Sequence, residues 1–188
     1  DMLRDVLDCR FFHLGGTGLL AKLDGAPSAR LLKAAQEADC VTTWDLVGAG
    51  PDTWQFVEPL LAHIDYLIPL IEEAEILSGI AGVEENILFF QSRGVRCPVL
   101  TMGGEGSIIA MGDERVHVPA YDIEVVDTTG CGDAYTAGFI VGLADGRSLE
   151  EAAHLGTASA SLVASGLGSD AGIVNRAQVE AEMASWRA

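Results

Sequence analysis

Lysine is scarce in this sequence, with only Lys22 and Lys33 among 188 residues. In total, 11 basic residues stand against 28 acidic ones, and the formal net charge at pH 7 is −17. Nucleic-acid backbones and anionic membranes are bound by clustered lysine and arginine, so we expect neither as a partner. An anionic ligand such as a nucleotide must instead be held by backbone amides, helix N-termini, a metal ion or scattered arginines.

Paired cysteines and long apolar runs are missing as well. The four cysteines form no C-x-x-C pair, which argues against a zinc site or a disulfide scaffold and favours a reducing, cytoplasmic location. No apolar stretch approaches the roughly 20 residues that a membrane-spanning helix needs. The composition, 49% hydrophobic over 188 residues, suits one substantial core, and we expect a single domain over residues 1–188.

Short apolar segments alternate with helix-like segments in the first half of the chain. Strands are predicted at Cys9–Leu14, Cys40–Trp44, Tyr66–Ile68 and Pro98–Met102. Helices are predicted between them at Ser28–Ala38, Thr53–Ala62 and Glu84–Ser92. This alternation is typical of βαβ units on a parallel sheet. A hairpin of Ser107–Met111 and Arg115–Val118 follows, and then helices at Asp133–Ala144, Leu149–Ser165 and Arg176–Trp186.

Three glycine-rich junctions lie where ligands of α/β sheets usually bind, beyond the carboxyl ends of strands. They are Leu14–Gly18, Thr101–Gly106 and Gly130–Asp133. In the last, two glycines allow amides at a helix start to point at one anion, and Asp133 could accept a proton from an attacking hydroxyl. A turn followed by an aspartate helix cap explains the same spacing, and both interpretations stay open.

The other candidates have equally plain alternatives. Thr101–Gly106 offers a hydroxyl and three glycines for a phosphate chain, but a glycine-rich β-turn has the same composition. The acidic run Glu72–Glu75 could organise magnesium, although such a run more often forms a solvated helix face. Leu14–Gly18 could shape a substrate loop or a plain turn. The four histidines show no ligand spacing and are interpreted as structural.

Taken in order, these segments resemble the ribokinase family, also called PfkB carbohydrate kinases. The most specific part is Asp127-Thr128-Thr129-Gly130-Cys131-Gly132-Asp133, which resembles the D-T-x-G-x-G-D signature of the family. The segments Asp65–Pro69, Thr101–Gly106 and Val116–Pro119 resemble family segments in the family's order. The resemblance implies an α/β, three-layer αβα fold with a mostly parallel sheet and a β-hairpin. It also implies a domain incomplete at its N-terminus, without the family's N-terminal strands and lid.

The same resemblance implies an ATP-dependent transfer of the γ-phosphoryl group to a hydroxymethyl group of a sugar or sugar-like alcohol. Asp133 becomes the catalytic base, and the amides of Gly130, Cys131 and Gly132 become the anion hole. By the same resemblance, the ATP phosphates would be bound by Thr101, Gly103 and Gly106. Mg²⁺ would be bound by Glu73. A monovalent cation such as K⁺, which some family members use, would be bound by Asp127 and Thr129. A nucleoside kinase and a non-catalytic nucleotide-binding domain are the alternatives.

The chain also departs from the family pattern. Leu70 stands where the magnesium motif N-x-x-E has asparagine, which removes a polar contact. Cys131 replaces a small residue of the anion hole, and its position at a helix N-terminus predicts a lowered thiol pKa and a reactive sulfur. Without a lid, we expect the chain alone to phosphorylate poorly or not at all. Apolar surface left where the family's first strands pack favours self-association, and the sequence leaves the oligomeric state open.

Overall fold

The structure, a computed structural model, describes residues 5–173 and 175–186. Its strands form one sheet in the order β1-β2-β3-β4-β5-β6. The strands are β1 Phe11–Thr17, β2 Val41–Leu46, β3 Tyr66–Leu67, β4 Cys97–Thr101, β5 Ser107–Met111 and β6 Glu114–Val118. Neighbouring strands from β1 to β4 are parallel. Because residues 112–113 alone connect β5 to β6, these two strands form an antiparallel hairpin. The predicted mostly parallel sheet with a hairpin is confirmed.

Helices fill the connections and follow the hairpin. They are α1 Ala26–Glu37, α2 Trp54–Val57, α3 Ile71–Ser78, α4 Val83–Gln91, α5 Cys131–Ala144, α6 Leu149–Ala164 and α7 Arg176–Trp186. The predicted helix Thr53–Ala62 is divided into α2 and a 3₁₀ helix, Glu58–His63, because Pro59 has no amide hydrogen with which to continue the hydrogen bonding of α2. Within the two described ranges, no helix has the length and apolarity needed to cross a membrane.

The described residues divide into two compact units. The first contains the chain up to Leu100 together with Ala110–Glu114, and the second contains Thr101–Ile109 and the chain from Arg115 onward. Whether residues 1–188 behave as one domain stays a prediction.

Strand β2 lies in the interior of the first unit. Trp44 is fully buried, and its indole nitrogen donates a hydrogen bond of 2.9 Å to Thr17 Oγ1 in β1. This bond satisfies the polar atom of a large core side chain at the end of β1. Since β1, β2 and β3 are parallel, the loops that follow them emerge at the same edge of the sheet.

Small residues set the packing of α5 against α6 in the second unit. A Cβ atom on Gly138 would lie 2.5 Å from Ser159 Oγ, and one on Gly142 would lie 2.6 Å from the Cα of Ala152. On α6, a Cβ atom on Gly156 would lie 2.8 Å from the carbonyl oxygen of Tyr135. The glycines therefore let the two helix backbones approach closely, which fixes the direction in which the N-terminus of α5 points.

Candidate active site

Helix α5 begins at Cys131, and Gly130 is its N-cap. Gly130 has φ 82°, in the left-handed region, and a Cβ atom there would lie 2.3 Å from the carbonyl oxygen of Ser169. Only glycine fits this combination of dihedral angle and backbone contact. Asp133 is consequently the third residue of the helix, so the interpretation of Asp133 as the N-cap is wrong.

The Asp133 carboxylate is exposed. It makes no hydrogen bond or ion pair with any other residue in the described part of the chain. In the first turn of a helix, the macrodipole favours a negative charge. Asp133 therefore offers carboxylate acceptor atoms that no described side chain or amide occupies, which is what a proton acceptor needs.

The amides around Asp133 differ in availability. The Cys131 amide donates to the Thr128 carbonyl oxygen at 3.2 Å. The amides of Gly132 and Asp133 find no acceptor among residues 5–173 and 175–186, as expected for the first turn of a helix. A Cβ atom on Gly132 would have nothing within 4 Å. An anion can thus approach the Gly132 and Asp133 amides, whereas the Cys131 amide already stabilises the turn.

The predicted lowering of the Cys131 pKa is wrong. Burial raises the pKa of this thiol, and the negative charge of Asp127 raises it further. The sulfur is partly buried and lies 3.6 Å from the Ala160 carbonyl oxygen of α6 and 4.0 Å from that of Asp127. Burial and a nearby carboxylate both disfavour the charged thiolate form, in the direction opposite to that expected from the helix dipole. Because the thiolate is the reactive form, a raised pKa gives no reason to expect an unusually reactive sulfur at Cys131.

Both carboxylate oxygens of Asp127 accept hydrogen bonds from other residues of the protein. Oδ1 accepts hydrogen bonds from the Thr129 amide at 2.9 Å and the Thr129 hydroxyl at 2.8 Å. Oδ2 accepts the Gly168 amide at 3.1 Å. The hydrogen bonds from Thr129, followed by the one from Gly168, lower the pKa of Asp127. Asp127 therefore joins the turn before α5 to the loop after α6, and a monovalent-cation role for Asp127 and Thr129 stays a prediction.

The segment Thr101–Gly106 forms a tight turn between β4 and β5. The Met102 amide donates to the Gly106 carbonyl oxygen at 2.8 Å. Gly106 has φ 91°, and a Cβ atom there would lie 2.1 Å from the Val118 carbonyl oxygen, so the fold itself requires this glycine. Gly103 is different, because a Cβ atom there would have nothing within 4 Å. Gly103 thus leaves the backbone open to a phosphate.

Two contacts that the sequence did not indicate hold this turn. His117 Nε2 donates to the Glu105 carbonyl oxygen at 3.0 Å, which requires the hydrogen on Nε2. The Tyr135 hydroxyl of α5 donates to Ser107 Oγ at 2.8 Å, and both residues are buried. Ser107 directly follows Gly106, so this bond brings the turn and α5 together. Residue spacing carries no signal for either contact.

Glu73 belongs to the first unit and binds two backbone amides. Its Oε1 accepts the Gly48 amide at 2.9 Å, and its Oε2 accepts the Leu70 amide at 3.0 Å. Leu70 is the N-cap of α3, with φ −69° and ψ 147°, but its side chain has no acceptor. Glu73 therefore supplies one half of a capping box, and the reciprocal half is missing.

Burial is the main cause of a raised pKa at Glu73, and the charges of Asp45 and Glu72 add to it, while the two amides lower it. Asp45 is a buried residue of β2 that sequence inspection passed over, and its Oδ2 lies 3.6 Å from His13 Nε2. Within the described residues, no group of three or more His, Cys, Asp or Glu side chains could hold a metal ion. The Leu70 side chain has no oxygen either, so these side chains do not fit a magnesium ion bound directly by protein ligands.

Known proteins were compared with this chain. Two curated relatives are the ATP-dependent 6-phosphofructokinase of Thermoanaerobacterium thermosaccharolyticum, 35% identical over 109 residues, and the ribokinase of Bacillus subtilis, 33% identical over 118 residues. These matches cover 58% and 63% of this chain but only 34% and 39% of those proteins. The chain thus spans well under half the length of the curated relatives it matches.

The structure of Arabidopsis thaliana ribokinase complexed with ribose and ATP superimposes with a TM-score of 0.82 at 25% identity. The superposition covers 97% of this chain and 58% of that chain. A family model described as pfkB family carbohydrate kinase matches residues 5–176. This match extends over the strands, the glycine-rich turn and the signature at the start of α5. The chain belongs to the pfkB family of carbohydrate kinases.

Proposed function

We propose that this chain carries the nucleotide-binding and catalytic-base portion of an ATP-dependent kinase, which transfers the γ-phosphoryl group to a hydroxymethyl group of a sugar or sugar-like alcohol. The observation that carries the proposal is the start of α5. There, the unpartnered carboxylate of Asp133 lies on the same helical turn as the available amides of Gly132 and Asp133. A proton acceptor and anion-binding donors are the two elements that phosphoryl transfer to an alcohol requires.

In the proposed reaction, the hydroxyl oxygen of the acceptor attacks the γ-phosphorus while Asp133 accepts the hydroxyl proton. The bond between the γ-phosphorus and the β–γ bridging oxygen breaks, and ADP is the leaving group. General-base catalysis of this kind contributes about 10²–10⁴ in rate. The Gly132 and Asp133 amides, at the positive end of the α5 dipole, stabilise the negative charge on the transferring group. Loss of one such preorganised donor typically lowers kcat about 10²–10³-fold. Together, these two contributions need no lysine, which suits a chain with only two.

The turn Thr101–Gly106 is the proposed site of the remaining ATP phosphates. Gly103 leaves its backbone accessible, and Gly106 maintains the reversal of the chain. The Arabidopsis relative was solved with ribose and ATP, which supports ATP as the donor and a sugar as one acceptor class. Magnesium, when bound to ATP, would neutralise phosphate charge, and no step performed by this chain depends on a protein-held ion.

A non-catalytic nucleotide-binding domain is the second candidate, because one specific feature favours it. The Leu70 side chain supplies no oxygen at the position of the family's asparagine, and both carboxylate oxygens of Glu73 accept hydrogen bonds from backbone amides. Under this alternative, ATP binds at α5 and the glycine-rich turn, and no group is transferred. A nucleoside as acceptor in place of a sugar would leave the roles of Asp133 and Gly132 unchanged.

The experiment compares the wild-type chain with Asp133→Asn and with Asp113→Asn, a matched control in the exposed β5–β6 turn. Calorimetric titration with ATP and ADP measures binding. Acceptor-dependent ADP release, with ribose, fructose 6-phosphate and nucleosides as acceptors, measures transfer. We expect Asp133→Asn to retain nucleotide affinity within about threefold and to lose at least about 100-fold in ADP release, while Asp113→Asn matches the wild type.

Each outcome separates the candidates. Nucleotide binding without ADP release by the wild type, for every acceptor, means that this chain alone binds the nucleotide and does not transfer its phosphoryl group. Undiminished ADP release by Asp133→Asn overturns the assignment of the base. Failure of the wild type to bind ATP or ADP overturns both candidates.

A further inference from the structure

One buried hydrogen bond links the two segments of the second unit to which the proposed function assigns phosphate binding. The Tyr135 hydroxyl donates to Ser107 Oγ at 2.8 Å. Tyr135 is 5% exposed and Ser107 is fully buried, so water does not compete effectively for either group. Tyr135 lies two residues after Asp133, and Ser107 directly follows Gly106. The bond therefore spans from the helix with the proposed base to the end of the glycine-rich turn.

The Tyr135 ring is held in place by its surroundings. It stacks on Phe139 at an interplanar angle of 10° and a centroid distance of 6.1 Å. On α6, a Cβ atom on Gly156 would lie 3.0 Å from Tyr135 Cδ2, so the ring packs directly against the backbone of that helix. A ring packed on two helices cannot swing toward another partner without disturbing the core. The hydroxyl consequently fixes the separation of α5 from Ser107.

We propose that Tyr135, acting through Ser107, is a positioning residue that sets the distance between the amides at the start of α5 and the turn Thr101–Gly106. The inference rests on the proposed nucleotide-binding function. Two sets of amides can bind successive phosphates of one nucleotide only if their separation matches the phosphate chain, and misplacement of binding groups is costly. Tyr135 does not touch the reacting atoms, and its effect reaches them through Ser107.

The test is a double-mutant cycle of Tyr135→Phe, Ser107→Ala and the two combined, with ADP affinity from calorimetry and Tm measured on each protein. We expect each single substitution to weaken ADP binding about threefold to tenfold. The double substitution should weaken ADP binding no more than the more severe single substitution, because all three variants lose the same hydrogen bond. Ser159→Ala is the matched control, since Ser159 is a buried hydroxyl of the same unit that bonds the Leu155 carbonyl oxygen of its own helix.

The control should lower Tm without changing ADP affinity. Tyr135→Phe with a lowered Tm and wild-type ADP affinity would mean that the bond is merely structural, and the positioning role would be overturned. Additive losses in the double variant would also overturn it. Absence of ADP binding by the wild type contradicts the proposed function instead, so the two failures are distinguishable.

A second inference concerns two cysteines of the first unit and is independent of nucleotide binding. The sulfur atoms of Cys9 and Cys40 lie 3.8 Å apart, although 31 positions separate the residues in sequence. Cys9 is exposed and Cys40 is buried. They precede β1 and β2, and the Val41 amide donates to the Arg10 carbonyl oxygen at 2.9 Å, so the backbones are also adjacent. Rotation of the exposed Cys9 side chain can bring the sulfurs toward the roughly 2.05 Å of a disulfide.

We infer that Cys9 and Cys40 form an oxidation site that closes to a disulfide under peroxide. The Cys9 thiolate attacks hydrogen peroxide, giving a sulfenic acid and hydroxide. The Cys40 thiol then attacks the Cys9 sulfur, and the disulfide forms with release of water. The peroxide is reduced by two electrons, which the two thiols supply.

Burial and the neighbouring Cys40 raise the pKa of Cys9, so oxidation should be slow at neutral pH and faster at pH 9. The linkage closes a long loop and should raise the apparent Tm by about 5–15 °C. Peptide mass spectrometry without reductant, before and after peroxide treatment, tests the site. A Cys9–Cys40 linked peptide is expected in the wild type and in Cys131→Ser, and none in Cys9→Ser. Absence of that peptide from the oxidised wild type, or linkage through Cys97 or Cys131 instead, overturns the inference.

Discussion

Gly132→Ala should stabilise the fold and impair phosphate binding at the same time. Gly132 is the second residue of α5, and a Cβ atom there would have nothing within 4 Å. Alanine loses less backbone entropy than glycine in a helix, so we expect the free energy of unfolding to rise by about 0.5–1 kcal/mol. The same methyl group would occupy the space through which an anion reaches the Gly132 and Asp133 amides, so ADP affinity should fall about tenfold or more.

Gly130→Ala is the contrasting substitution, two residues earlier in the chain. Its φ of 82° is unfavourable for alanine, and its Cβ atom would lie 2.3 Å from the Ser169 carbonyl oxygen and 2.7 Å from the Ser169 Cα. The left-handed backbone alone costs about 1 kcal/mol, and the backbone clash adds more, so we expect a loss of several kcal/mol in the free energy of unfolding. Glycine is therefore needed at position 130 for folding, whereas at position 132 we expect it to be needed for anion binding.

Urea unfolding and calorimetric titration with ADP, on the wild type and both variants, measure the two effects. A Gly132→Ala protein with higher stability and wild-type ADP affinity would refute the anion-binding role of the α5 N-terminus. A Gly130→Ala protein as stable as the wild type would refute the steric account of the N-cap.

Three further predictions address the capping of α3, the glycine-rich turn and the loss of folding stability at low pH. The free energy of unfolding of Leu70→Asn should be about 1 kcal/mol higher than that of Leu70→Ala, because asparagine completes the capping box of α3. Equal midpoints of urea unfolding for the two variants would contradict this. His117→Ala should weaken ADP binding about threefold to tenfold, because it removes the hydrogen bond to the Glu105 carbonyl oxygen. His117→Gln keeps a hydrogen-bond donor and should weaken ADP binding less. Equal losses of ADP affinity in the two variants would argue against a positioning contact. Asp127 has a folded-state pKa below its unfolded value of 3.8, so its contribution to stability is present above that pH and is lost as pH falls toward the folded-state pKa. Asp127→Asn should therefore make Tm depend less on pH below about pH 4. If Tm falls with pH as steeply in Asp127→Asn as in the wild type, this contribution is excluded.

The alternation of segments was predictable because each element's pattern is local. Strand β4 and helices α5, α6 and α7 follow from runs of apolar or helix-forming residues bounded by glycine, proline or polar residues, and their predicted limits lie close to the observed ones. The departures also have local causes. Pro59 divides the predicted helix Thr53–Ala62. Strand β1 also runs beyond its predicted end, to Thr17, and this extension depends on its pairing with β2, which is irregular between Leu14 and Thr17.

The site was predictable only as far as its glycines and carboxylates occur in contiguous motifs. The signature located Asp133, Gly130 and Gly132, because a helix N-terminus built from consecutive residues is a local structure. The pKa of Cys131 was not predictable in this way. The main cause of its raised pKa is burial, which comes from packing and not from residue spacing, and the Cys131 sulfur lies 3.6 Å from Ala160 of α6.

By itself, then, the sequence determined which residues are candidates for the turn, for the proposed anion-binding helix start and for the proposed proton acceptor, since these depend on residue type and short spacing. Only the tertiary structure decided which of those groups are already engaged. Glu73 binds the amides of Gly48 and Leu70, and Tyr135 meets Ser107 across 28 positions of sequence. The physical reason is that hydrogen-bond partners and burial arise from packing between elements, and the spacing of residues along the chain does not contain that information.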